Sequence, residues 1–221
     1  MKSFIFGESA SGLPIMAYRF GQNGPKVLIL GGVHGDEIEG VIAAHGLLKT
    51  FARAFSFRLQ LTLVPMLNID GVLSKQRKNS RQVDLNRNLP TNDWTDQVAE
   101  ERYYPGPAAN SEPENQCLIQ FLDEHHPRFV LSLHSWKPLL NVNGDCRAQA
   151  EAIHKHTQYK IEDHIGYPTP GCLGTYCGLE RDMPTLTYEL ERGMAGDEIL
   201  RTHVPAILEA LKVSEQSPSS S

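Results

Sequence analysis

Cysteine is scarce in this chain: Cys117, Cys146, Cys172 and Cys177 are the only four in 221 residues, with no CxxC pair. Their spacing fits neither a disulfide framework nor a zinc finger. Reduced thiols with packing roles are expected, with Cys172 and Cys177 close enough in one Gly-rich segment to be neighbours. No run approaches the ~20 apolar residues of a membrane-spanning helix. The opening Met1-Lys-Ser-Phe-Ile-Phe-Gly-Glu8 breaks off too early for a signal peptide. The expected compartment is therefore the cytoplasm. Basic charge is not in excess either. Lys+Arg 21 against Asp+Glu 26 leaves −5, and the pI is near 6.0, which argues against a nucleic-acid or membrane partner. Internal repeats and interdomain linkers are also missing. Residues 1–213 read as one domain large enough for its own core. Residues 214–221, Ser-rich and without a core pattern, read as a disordered tail.

What is present is an alternation of apolar runs and helical spacing. Residues 27–33 form a continuous apolar run bounded by Gly-Pro and Gly, the pattern of a strand buried on both faces. Residues 38–55 show helical spacing (Val41, Leu47, Leu48, Phe51), and 57–66 read as a second strand. The polar segment 68–104 follows, and long segments without elements in a compact domain are usually functional. Ser111-Glu-Pro-Glu114 has the form of a capping box with Pro near the helix start, opening a helix to about His125. Residues 129–134 read as a strand, 146–159 as a helix, 166–178 as a loop and 185–190 as a strand. Residues 197–213 close the chain as a helix with Asp197 as N-cap. Strands alternating with helices imply an α/β domain with a largely parallel sheet. Ligands in such sheets bind beyond the carboxyl ends of the strands.

Four chemically loaded residues fall at or just past such ends. His34 and Glu37 lie just past the first apolar run, His134 ends the 129–134 strand, and Glu189 stands near the end of the last. A hydrolytic zinc takes three ligands from His, Glu and Asp and keeps a position for water. His34, Glu37 and His134 are a two-His, one-carboxylate set of that kind. A carboxylate outside the ligand set must then move the proton, and Glu189 is the candidate. Glu191, two residues on, would face the same way if the strand continues. Asp36 is either a partner for an imidazole or a plain loop carboxylate.

Among the cations, Arg87 beside Asn86 suits a bidentate grip on a substrate carboxylate. Arg77 is either an oxyanion-stabilising group or part of a solvated basic loop with Lys75, Lys78 and Arg81. The remaining histidines carry less. His45, His125, His126, His154 and His156 fall on or at the end of helices, His164 sits near the Gly/Pro segment, and His203 reads as surface.

Taken in order, His34-x-x-Glu37, Asn68-Ile-Asp-Gly71, Asp84-Leu-Asn-Arg-Asn88, Leu133-His-Ser135 and Thr187-Tyr-Glu-Leu190 resemble the motif series of the zinc carboxypeptidase family. Each motif alone is weak; the ordered set is specific, and it spans about residues 7–211. The resemblance implies a three-layer α/β/α fold with a mixed, largely parallel eight-stranded sheet and one catalytic Zn2+ per chain. It assigns His34, Glu37 and His134 as ligands and Glu189 as general base and acid. It also places Asn86 and Arg87 on the substrate's terminal carboxylate and Arg77 on the oxyanion. Asp36 stands where larger digestive members carry Arg, so one substrate-side cation of theirs is missing here. Their mobile cleft tyrosine has no certain counterpart: Tyr176 is the candidate for substrate contact, Tyr167 lies in the same region, and either can equally serve packing. Trp136 either walls the pocket or packs.

Within the family, the segments 31–37, 105–114, 166–171 and 174–177 are similar to the short bacterial murein peptide amidases. That likeness implies a small peptide substrate, murein tripeptide, cut at the γ-D-glutamyl–diaminopimelate bond. The departing diaminopimelate would bring carboxylates to Arg87. The main competing reading is a deacylase of the succinylglutamate desuccinylase or aspartoacylase type, which shares the Gly-x-His-Gly-(Asp/Asn)-Glu start. The other is a binding module that has kept the pocket and lost turnover. Oligomeric state is not legible from the chain.

Overall fold

Among residues 1–216, which this computed structural model describes, the backbone forms an eight-stranded mixed sheet ordered β1-β2-β4-β3-β5-β8-β6-β7. The strands are β1 (Lys2–Glu8), β2 (Pro14–Phe20), β3 (Lys26–Leu30), β4 (Gln60–Val64), β5 (Phe129–Trp136), β6 (Leu139–Asn143), β7 (Lys160–Glu162) and β8 (Thr185–Glu191). β4, β3, β5 and β8 run parallel in the centre, while β1, β2 and β6 pair antiparallel. The helices are α1 (Ile38–Arg53), α2 (Ile69–Ser74), α3 (Pro113–His125), α4 (Arg147–Thr157), the turn α5 (Gly196–Glu198) and α6 (Val204–Gln216). A π-helical turn, Ile199–His203, joins α5 to α6.

Strand period divides the core in two. On β3, Val27 and Ile29 join one cluster and Leu28 and Leu30 the other. The first cluster takes Leu47 and Phe51 of α1, Ile153 of α4 and Ile207 and Leu211 of α6. The second takes Leu118 and Leu122 of α3. Each such side chain, removed from water, contributes roughly 1.5–3 kcal/mol before entropy is counted. On β5, Leu131 and Leu133 belong to the first face, so Ser132 and His134 point to the second. On β8, Leu186, Tyr188 and Leu190 do the same for Thr187 and Glu189. The polar residues of both strands are thereby delivered to one face, at the carboxyl edge.

Several expectations change. The 111–114 capping box does not form: the N-cap of α3 is Glu112 without a side-chain bond, and Ser111 Oγ instead donates to Glu112 Oε1 at 2.7 Å. Asp197 is not an N-cap either; it lies within the first turn and pairs with Arg201 at 2.9 Å. His203 is not surface. It is buried against Tyr188, whose hydroxyl hydrogen-bonds its Nδ1, with Met194 Sδ 3.1 Å from its Nε2. α6 runs to Gln216 with Ser214 buried, so the expected tail is helical over its first three residues, 214–216; 217–221 lie outside the described residues.

Candidate active site

The loop after β3 is shaped by glycine. Gly32 adopts φ +61°, and a Cβ on Gly35 would stand 1.9 Å from the carbonyl carbon of Gly71. Only glycine lets this turn pass so close to α2. Past it, His34 and Glu37 project under the end of β5, where His134 lies. Glu37 Oε1 is 2.9 Å from His34 Nδ1, Glu37 Oε2 is 2.9 Å from His134 Nδ1, and the two Nδ1 atoms are 3.2 Å apart. All three residues are buried.

Each imidazole is held from behind. Asp84 Oδ1 lies 3.1 Å from His34 Nε2, and Ser132 Oγ lies 2.9 Å from His134 Nε2. Partners on the outer nitrogens turn both Nδ1 lone pairs inward, toward one point beside the carboxylate. Two nitrogens and an oxygen converging there suit a zinc-like ion, and the three residues form a cluster able to hold a metal.

Asp84 is the functional residue that sequence reasoning did not assign, although it sits inside the Asp84–Asn88 motif. Its Oδ2 accepts from Arg77 Nε at 2.8 Å, and its Oδ1 also accepts from Asn86 N at 3.0 Å. Burial acts to raise its pKa, yet His34 and Arg77 hold the carboxyl far below the usual range. Arg77 is therefore not part of a solvated loop. Its side chain is 12 % exposed, and its Nη1 donates to Glu37 Oε1 at 3.3 Å.

Glu189 lies opposite His134 in the register of β5 and β8. It is buried, and among the described residues its Oε2 has no hydrogen-bond partner. Burial, with the nearby Glu37 charge, raises its pKa to about 7 against the opposing pull of His134, Arg77 and Arg192. A cleft of about 350 Å³ opens above these groups, lined by His34, Glu37, Glu189 and four arginines: Arg77, Arg87, Arg102 and Arg192. Asn86 Oδ1 accepts from Leu173 N at 2.9 Å, which leaves its amide donors for the cleft. Arg87 and Arg77 both stack on Tyr103, with centroid distances of 5.2 and 5.4 Å.

Tyr176, expected at the substrate, is instead buried in the second core, its ring 3.5 Å from the Arg181 guanidinium carbon. The π-helical turn Gly174–Leu179 rotates it away from the cleft. Tyr167 takes the place at the cleft, edge-on to Trp136 at 5.7 Å. Trp136 walls the pocket, and Ile165 rather than His164 lines it. Glu191 is exposed at the end of β8 and does not line the cleft.

A mixed α/β sheet with a His/Glu/His cluster at its carboxyl edge defines a metallohydrolase of peptide-type bonds. The chain belongs to the zinc carboxypeptidase family, whose model matches residues 1–190. It is 30% identical to a murein peptide amidase A of Vibrio campbellii over 94% of this chain and 86% of that protein. It is likewise 30% identical to the murein peptide amidase A of Escherichia coli K12, over 78% of this chain and 74% of that one. Among solved structures, the murein-tripeptide amidase of Escherichia coli O157 superposes with a TM-score of 0.79 at 23% identity, covering 100% of this chain and 94% of its own. The carboxypeptidase A of Helicoverpa armigera superposes at 0.80 with 20% identity, covering 96% and 67%.

Proposed function

We propose that this chain is a zinc-dependent murein peptide amidase that hydrolyses the γ-D-glutamyl–diaminopimelate bond. The observation that carries the reading is the inward-turned His34–Glu37–His134 cluster beside a buried Glu189 whose Oε2 has no hydrogen-bond partner among the described residues, beneath a cleft lined by four arginines. The amidase relatives support the substrate; the deacylase alternative is not favoured, since the chain matches those amidases over most of its length.

In this reading His34 Nδ1, Glu37 and His134 Nδ1 hold the zinc. Zinc held there supplies Lewis-acid polarisation and acidifies water. Arg87 clamps a carboxylate of the departing diaminopimelate, and the Asn86 amide donates to the same group. This sets the scissile carbonyl over the cleft floor. Arg77, fixed through Nε to Asp84 and through Nη1 to Glu37, keeps its Nη2 donors for the oxygen that gains negative charge as water adds to the carbonyl carbon. Glu189 takes the proton of the attacking water and delivers it to the amine nitrogen as the C–N bond breaks. A carboxyl raised toward neutrality suits both halves of that transfer. Tyr167 and Trp136 form an aromatic wall on one side of the cleft.

The test is release of free diaminopimelate from L-Ala-γ-D-Glu-diaminopimelate, with and without a chelator. Chelator-sensitive release supports the reading. No release, together with turnover of N-succinylglutamate or N-acetylaspartate, would replace it with the deacylase.

A further inference from the structure

Arg77 and Arg87 are used by the proposed reaction, and Arg102 stacks on Tyr103 at 5.1 Å. Arg192 is left over. It follows β8 directly, with its backbone N donating to Trp136 O at 3.1 Å. Its side chain folds back over the cleft, where Nη1 donates to Asp36 Oδ2 at 3.2 Å and Nε to Ser135 O at 3.4 Å. Nη2 stands 3.6 Å from Glu37 Oε1. The side chain is 43% exposed, so the pair with Asp36 contributes little to stability. What the tether does is hold a planar fork at the cleft with donors still open to solvent.

Arg87 and Arg192 enter the cleft from different walls. Arg87 comes from the Asp84–Asn88 segment beside Tyr103, and Arg192 from the turn after β8 beside Asp36. A γ-linked glutamyl bond carries a carboxylate on each side of the scissile C–N. One belongs to the departing amino acid; the other is the α-carboxylate of the glutamyl residue. An ordinary α-peptide bond has no carboxylate at that second position.

Resting on the amidase reading, we infer that Arg192, anchored by Asp36, binds the α-carboxylate of the glutamyl residue and so selects γ-linked acyl donors. Asp36 thereby has a task in this chain: it positions the arginine that grips the acyl side. The pocket rejects α-linked peptides because they leave the Arg192 fork, already desolvated by substrate, without its anion.

The test compares kcat/KM of zinc-loaded wild type, Arg192→Ala, Arg192→Gln and Arg192→Lys on two peptides. One is L-Ala-γ-D-Glu-diaminopimelate, the other its D-isoglutaminyl analogue, in which the α-carboxylate is a carboxamide. Wild type should prefer the carboxylate. That preference should fall about 10- to 100-fold in Arg192→Ala and Arg192→Gln, through KM, as expected for one lost charge-assisted hydrogen-bond pair. Arg192→Lys should keep part of it. Zinc content is measured on each variant, and Arg192→Gln retains most of the side-chain volume should Arg192→Ala misfold. An unchanged preference in the variants, or an equal loss on both peptides, overturns the inference and leaves the amidase reading intact. A wild type that cleaves neither peptide overturns the amidase reading and the inference with it.

Discussion

Glu189 pairs directly with His134 across two parallel strands, β8 and β5. That single register sets the proposed proton carrier beside a proposed ligand, with neither held by a flexible loop. A slip of one residue would turn Glu189 into the apolar face occupied by Tyr188 and Leu190. The sheet, not the loops, fixes the distance that the chemistry needs.

Asp84 joins His34 to Arg77, so its replacement should disturb both. In Asp84→Asn, zinc affinity is expected to fall about 10- to 100-fold, as for other partners of ligand histidines. Competition against a chromophoric chelator reads this directly. Unaltered affinity would mean that His34 needs no orienting carboxylate.

Gly35→Ala should damage the fold and the metal cluster together. The new Cβ meets the Gly71 carbonyl carbon at 1.9 Å, backbone against backbone, and neither can yield without moving His34. A destabilisation of about 1–3 kcal/mol or more is expected, the usual scale of overpacking. Urea denaturation with zinc analysis checks it; wild-type stability would show that the turn has slack.

Arg87→Lys keeps the charge and loses the fork. KM for the tripeptide should rise about 10-fold while kcat changes less, since ground-state and transition-state clamping are lost alike. A fall in kcat at constant KM would instead place Arg87 in the chemical step.

Stability should depend on pH through His203. Burial lowers its pKa to about 4 in the folded chain, below the unfolded value of about 6.5. On acidification the unfolded state takes up the proton first. The stability contribution is therefore full above pH ~6.5, declines between there and about 4, and levels off below. Equilibrium unfolding at several pH values should show this slope in wild type and a shallower one in His203→Gln. Identical slopes would mean that His203 does not titrate with folding.

The central strands were legible because residues 27–30 are an unbroken apolar run and 129–133 one broken only by Ser132, and His34, His134 and Glu189 stand out at or just past the ends of strand-forming segments. β1, β2 and β6 were not. β1 is largely exposed or half-exposed, and β6 carries Asn141 and Asn143 toward the cleft, so neither shows a buried-strand run. Asp84 was visible as a residue but not as a partner of His34, which lies 50 positions away. Tyr176 misled because a Gly/Pro/Tyr-rich segment does not say which ring faces the cleft; the π-helical turn decides that. His203 looked polar and exposed because its burial depends on Tyr188 and Tyr159, contributed by distant elements.

The most direct test of the account is Glu189→Gln, with zinc content and tripeptide hydrolysis measured on the same sample. About one zinc per chain should remain, because Glu189 stands outside the His34–Glu37–His134 cluster, while release of diaminopimelate falls about 10²- to 10⁴-fold. A zinc-loaded Glu189→Gln protein that turns over at the wild-type rate would contradict it.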